Sequence, residues 1–300
     1  MDVGTIAVTF TKYSKLPSDL RDPILQYSNL TTLNNYSLCS KSCNMEIQKY
    51  NTNAPKTLDL RETNDGIIVE LGYFKKNDFI GKYIEQRFAR SENMMAEVEE
   101  RLLKWYKYVT NDRTVLVSIN LLNWPSTVMK LEPITKATRW VVDVYPSMYN
   151  DFLQYVLSTN IKMEGLNLAK GYGVVVGTEL FKTSAFQNLQ KLTITPTCEI
   201  DKEDFLKLGS GTIRITCAIS FDAIREKVEQ WNSSCELKRT EFTFYLPEND
   251  TRHFDLDVLF PIDRFPNRQL LSDYEIKIGV ATIHMSDCGN VLSLYNYVLN

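Results

Sequence analysis

Thr212-Ile213-Arg214-Ile215-Thr216-Cys217-Ala218-Ile219-Ser220 opens the stretch whose reading decides the fold. Ile213, Ile215, Cys217 and Ile219 alternate with mostly polar neighbours, the period of two that a half-buried strand requires. The period then lengthens. Phe221, Ile224, Val228 and Trp231 recur at helical spacing and leave Glu226, Lys227, Glu229 and Gln230 on the wet side. Ser220 or Asp222 supplies the short side-chain oxygen that accepts an orphan N–H of the first turn. Phe242, Phe244 and Leu246 follow, then the breaker Pro247-Glu248-Asn249-Asp250, then Phe254, Leu256, Val258 and Phe260. Two apolar alternations around a turn predict a hairpin with one aromatic face. The stretch reads strand, helix, strand, strand: a sheet carrying a helix on its apolar side.

On the C-terminal side, residues 274–284 and 291–299 flank Asp287-Cys288-Gly289-Asn290 and predict a last hairpin. On the N-terminal side, Asp201 is placed to cap a short helix ending at Leu208, which Gly209 closes in the left-handed conformation. Leu192–Thr195 and Val174–Val176 read as strands, and Pro146 starts a helix to Leu157 behind a strand at Arg139–Tyr145. Asn123-Trp124-Pro125-Ser126 marks a seam. Upstream of it, residues 92–109 form the strongest helical pattern, with Met95, Val98, Leu102, Tyr106 and Val109 as core face and Ser91 as cap. Ile80, Ile84 and Phe88 predict a helix over 79–90, and Asn64-Asp65-Gly66 a hairpin turn. Residues 28–56 carry the weakest periodicity and read as a long surface loop; 5–11 read as a first strand. No internal repeat at a fixed period stands out.

The expected fold is therefore α+β: hairpin-built, mostly antiparallel sheets with several packed amphipathic helices. Two β-rich lobes, 1–127 and 128–300, are expected, a single continuous domain being the alternative. The 300 residues have 44% hydrophobic and 24% charged content and a formal net charge of -3, which excludes global disorder and argues against wrapping duplex nucleic acid by bulk charge. No apolar run is long enough to span a bilayer and the N-terminus lacks a signal-peptide pattern, so a cytoplasmic location is expected. The cysteines at 39, 43, 198, 217, 235 and 288 are expected to stay reduced.

Site chemistry is thin. Histidine occurs only at 253 and 284, which removes the commonest base and metal ligand from most conceivable sites. His253, Asp255 and Asp257 on one strand face would converge poorly on a metal, and Cys39 with Cys43 has no second pair to complete a zinc site. Gly171-Tyr172-Gly173 precedes its apolar run instead of following it, unlike a phosphate-binding loop. No serine lies in a nucleophile elbow. The reading is that of a non-enzyme with no catalytic residue, metal, cofactor or small-molecule substrate. Between Tyr73 and Tyr108, Lys75, Lys76, Lys82, Arg87, Arg90, Lys104 and Lys107 interleave with aromatic residues, the composition that grips single-stranded RNA.

The richness in Asn, Tyr, Thr and Lys, the scarcity of Gly and His and the lack of catalytic signatures are similar to structural or accessory proteins of RNA viruses. That resemblance implies a capsid-associated assembly protein of the virion or host cytoplasm, whose partners are other protein subunits, itself or capsid proteins. Its contacts would come from residues 28–56 and from exposed strand edges. An RNA-binding accessory protein using residues 73–108 is the alternative, and an enzyme of unrecognised type a second one.

Overall fold

The computed structural model describes residues 16–296 apart from 27, 50–51, 76–77, 160, 171–172, 184–185, 187–188, 209–210, 234–239, 248–249 and 251–252. The predicted strand at 5–11 and the Gly209 cap lie outside the described residues. The chain divides into two compact units, residues 1–117 with 125–137, and 118–124 with 138–300.

The first unit begins with three helices: α1 (Ser18–Gln26), α2 (Leu30–Ser37) and α3 (Lys41–Ile47). Two of them occupy the stretch expected to be a loop. The polar residues that hid them are their caps. Asn29 accepts the amide of Thr32 at 2.9 Å and Ser40 that of Cys43 at 3.1 Å, each satisfying a donor that a helix start would leave bare. Tyr36 donates to Glu46 Oε2 at 2.7 Å and Arg21 pairs with Glu46 at 3.5 Å, so one carboxylate ties all three helices. A short parallel pair joins β1 (Thr52–Asn53), which follows them in the chain, to β5 (Val109–Asn111).

The sheet of this unit contains β2 (Thr57–Thr63), β3 (Gly66–Lys75) and β4 (Asp78–Ala89), antiparallel in that order. The turn at Asn64-Asp65-Gly66 forms as expected. Residues 79–90, expected to be helical, are instead strand β4. Ile84 faces Leu71 and Phe88 faces Ile67 across the ladder, so pairing with a long β3 overrides a weak helical spacing. Helix α4 (Met94–Tyr106) buries Met94, Val98, Leu102, Trp105 and Tyr106. It starts after Asn93 with no side-chain cap, so the expected Ser91 cap is not made. β6 (Leu116–Asn120) and two single-turn helices, α5 (Ser126–Met129) and α6 (Glu132–Thr135), follow.

The second unit holds β7 (Arg139–Asp143), α7 (Pro146–Ser158), β8 (Gly165–Ala169), a 3₁₀ turn (Thr178–Leu180), β9 (Lys191–Cys198), α8 (Lys202–Lys207), β10 (Thr212–Cys217), α9 (Phe221–Ser233) and β11 (Thr240–Tyr245). Strands β7 to β11 neighbour one another in chain order, and every pair among them is parallel. Parallel neighbours need crossovers, and these run through α7, α8, α9 and the 3₁₀ segment. The expectation of hairpins is thus corrected for the middle of the chain. α10 (Leu256–Leu259), capped by Asp255, replaces the second strand of the hairpin expected over 242–260. Val174–Val176 contributes a single parallel bridge, from Val176 to Cys198, in place of a strand. The antiparallel part of this sheet is C-terminal: β12 (Gln269–Ser272), β13 (Glu275–Ile278), β14 (Ala281–Met285) and β15 (Val291–Asn296), with β15 pairing β11. The class is α+β with mixed parallel and antiparallel pairs.

The repeat invisible along the sequence shows in this topology. Each parallel strand centres on a triplet with apolar outer members, the middle one polar in all but the first: Trp140-Val141-Val142, Leu166-Asn167-Leu168, Leu192-Thr193-Ile194, Ile213-Arg214-Ile215 and Phe242-Thr243-Phe244. The first members are spaced 26, 26, 21 and 29 residues apart, within the repeat length of β/α solenoids. The outer members face the helices. Trp140 meets Tyr155 of α7 at 5.9 Å between ring centroids, Phe205 of α8 meets Phe242 and Phe244 at 5.6 Å each, and Trp231 of α9 meets Phe242 at 5.7 Å. α7, α8 and α9 therefore cover one and the same face of the sheet.

Candidate interaction surfaces

The opposite face is open. Burial alternates along β7 to β10, and the residues between the apolar ones are exposed or half-buried. Register aligns them into rows across the strands. One row runs Arg139, Gly165, Lys191, Thr212, Glu241; the next runs Val141, Asn167, Thr193, Arg214, Thr243. Parallel sheets are ordinarily covered on both faces. Among the described residues the helices cover one face, and the other carries Thr, Asn, Lys and Arg with Val141, Gly165 and Glu241. Arg214 reaches Glu241 at 3.4 Å, and Asp143 at the far end of β7 pairs with Lys170 at 3.2 Å. With both carboxylates matched, Arg139 and Lys191 leave the face with a positive excess. Asn167 Oδ1, in the middle of the second row, is out of solvent and has no donor among the described residues.

The N-terminal helices present a surface of different chemistry. Leu20 is 54% exposed, Ile24 47%, Leu38 72% and Met45 66%. Leu20 and Ile24 lie four apart on α1 and so share a face. Leu38 closes α2 and Met45 sits on α3. Their neighbours Leu25, Leu30, Leu33 and Ile47 are fully buried, so the helices possess a core and still show large apolar groups outside it.

The cations of the 73–108 segment are dispersed. Arg87 pairs with Glu85 at 2.8 Å, Arg90 with Glu62 at 3.4 Å and with the Thr63 carbonyl at 3.1 Å, and Lys104 with Glu100 at 2.5 Å. Lys107 lies over the Tyr108 ring at 4.5 Å. Lys75 ends β3 and Lys82 lies on β4 opposite Tyr73, while Lys76 lies outside the described residues. Of the aromatic residues interleaved with them, Phe88, Trp105, Tyr106 and Tyr108 are core and Tyr83 is exposed.

The reactive groups separate as well. Asp255 caps α10 and Asp257 pairs with Arg268, so the expected strand face with His253 does not form. Among the described residues no three or more metal-binding side chains gather. Cys39 and Cys43 lie either side of the α3 cap, both free. Two features escaped sequence reading. Cys198 and Cys217 stand side by side on β9 and β10, both buried. Lys227, expected on the wet side of its helix, is 3% exposed. Its Nζ donates to the carbonyls of Leu206 and Leu208 at 2.7 and 3.1 Å and lies 5.8 and 5.5 Å from the rings of Phe205 and Phe242. Burial pushes its pKa down to about 8. Its placement follows the Phe221–Ile224–Val228–Trp231 stripe, which Lys227 borders; the signal was there, since a long cation can plug the carbonyls at a neighbouring helix end.

No family model matches the chain, and no curated protein or solved structure is significantly similar to it.

Proposed function

We propose that the chain is a non-enzymatic adaptor that holds two protein partners, one on the open face of the parallel sheet and one on helices α1–α3. The observation that carries this reading is the bare, ordered, polar face of β7–β11. A parallel sheet with helices on one side only is the architecture of solenoids, whose uncovered strands form extended surfaces for macromolecules. The positive excess at Arg139 and Lys191 favours a partner with acidic side chains. The exposed Leu20, Ile24, Leu38 and Met45 suit an apolar grip, the other common mode of protein recognition. The reading keeps the protein-contact part of the role expected from composition, including contacts within 28–56, and adds the sheet face.

A photo-crosslinking residue placed at Thr193, at Leu38 or at Gln230 on the solvent side of α9 tests this in a native extract. The Thr193 and Leu38 positions are expected to capture different proteins, and Gln230 neither. Arg139→Glu with Lys191→Glu should abolish the Thr193 adduct and spare the Leu38 adduct. Adducts at Thr193 no stronger than at Gln230 would refute the sheet-face partner.

A further inference from the structure

Cys198 and Cys217 end adjacent parallel strands and are direct partners in the ladder. Partners in neighbouring strands are about 4.8 Å apart, and both side chains occupy inward positions of their alternating strands, so the two sulfurs project side by side. Each is almost fully buried, and neither is in a disulfide. They are not sealed in. A cavity of about 220 Å³ opens beside them, lined also by Thr178, Glu199, Ile200 and Asp201. It sits past the carboxyl ends of β9 and β10, the end of a parallel sheet where small ligands ordinarily bind. Tyr149 of α7 borders the surroundings: its hydroxyl accepts the Gly177 amide at 3.2 Å, next to Val176, which bridges to Cys198.

We propose that Cys198 and Cys217 form a two-coordinate site for one soft monovalent cation of the copper(I) class, reached through this cavity. Thiolate sulfur selects such ions over the harder divalent ones, and two sulfurs, with no group of three or more metal-binding side chains among the described residues, match a low coordination number. Binding replaces both thiol protons: two R–SH and one M⁺ give [M(SR)₂]⁻ and two H⁺, with no change of oxidation state. A bridged pair would tie β9 to β10 at the rim of the open sheet.

The probe is copper(I) itself, added anaerobically to the reduced full chain in competition with a coloured copper(I) chelator. A variant with Cys39, Cys43, Cys235 and Cys288 changed to Ser is expected to retain one copper(I) per chain. In that background Cys198→Ser or Cys217→Ser should weaken binding by at least about tenfold, the lower bound for losing even an outer contact of a metal site. Should these core variants fail to fold, alkylation of the native chain decides: bound copper(I) must protect Cys198 and Cys217 together. No copper held by the four-serine variant, equal affinity after Cys198→Ser, or full alkylation of both thiols in the presence of copper(I) would each overturn the proposal. These outcomes are independent of whether either protein partner binds.

Discussion

Replacing Lys227 with Met tests how the helical layer is locked onto the sheet. The wild-type ammonium sits among Phe205, Phe242 and two carbonyls at the end of α8, and burial lowers its pKa from 10.5 to about 8. Between those two values the unfolded chain binds a proton that the folded chain has released, so this group makes stability rise with pH. Below pH 8 both states are charged and the folded state carries the whole desolvation cost, about 3.4 kcal/mol for a shift of about 2.5 units. Integrating the linkage from pH 7.5, the group returns about 1.2 kcal/mol by pH 9 and about 2.4 kcal/mol by pH 10. The wild type alone does not display this. Burial raises the pKa of Tyr36, Tyr73, Tyr106, Tyr149 and Tyr155, and acids that keep their protons in the fold lower stability as pH rises.

The difference between the wild type and Lys227→Met cancels those shared contributions. Met has nearly the same length and no proton to exchange, so its loss of two carbonyl partners shifts the difference by an amount independent of pH. Urea unfolding at pH 7.5, 9 and 10 supplies the numbers, followed by tryptophan fluorescence because Trp231 packs tilted against Phe242 in the same cluster. The wild type should gain about 1.2 and then about 2.4 kcal/mol on the variant across that series. A difference flat to within about 0.5 kcal/mol would mean that the Lys227 ammonium is well solvated, and the packing of α8 against α9 described above would be wrong.

Three other perturbations bear on separate parts of the fold. Asn29→Ala and Ser40→Ala each remove a helix cap and should cost about 0.5–2 kcal/mol in thermal unfolding, with Asn29→Asp near wild type, because only the accepting oxygen matters. Gly211 has φ of 145° at the head of β10, and a methyl there would fall on the Gln190 carbonyl, so Gly211→Ala should lose about 1–3 kcal/mol by urea unfolding. Phe242→Ala removes a fully buried ring that touches Phe205, Trp231 and Phe244 and should cost about 3–5 kcal/mol by the same measurement.

What could be read in the sequence followed from how local each signal is. The helix at Pro146–Ser158, the β10–α9 pair and the turn at Asn64–Gly66 rest on patterns contained within a dozen residues, and they stand where expected. The hairpin over 242–260 failed because an alternating strand does not say which neighbour it will choose. Phe242 and Phe244 have both a parallel mate, β10 across helix α9, and an antiparallel one, the distant β15 in place of the next segment. Residues 28–47 failed for another reason. Asn and Ser are loop formers by composition and cap formers by position, and position is visible only once the next turn is seen to be helical. The open face was legible in principle, since the five apolar triplets recur at 21 to 29 residues, yet no one of them differs from an ordinary strand. The cysteine pair was beyond reach: residues 198 and 217 meet only through the register of two strands that pair across a helix.

The composition of that face also explains how a parallel sheet tolerates water on one side. Each strand must favour extended backbone without adding apolar surface that would draw a cover onto it. Threonine meets both demands, being β-branched and polar at once. The strands use it accordingly: Thr193, Thr195 and Thr197 on β9, Thr212 and Thr216 on β10, Thr243 on β11. Where the face turns inward near β15, Thr243 and Ser293 meet at 3.3 Å, buried and hydrogen-bonded to each other. Toward β7 and β8 the same rows carry Arg139, Val141 and Asn167, and the smaller Gly165 and Ala169 leave shallow relief between them. The two central rows join Arg139, Lys191, Arg214 and Glu241 to these short hydroxyls, a texture that a partner's backbone can approach closely.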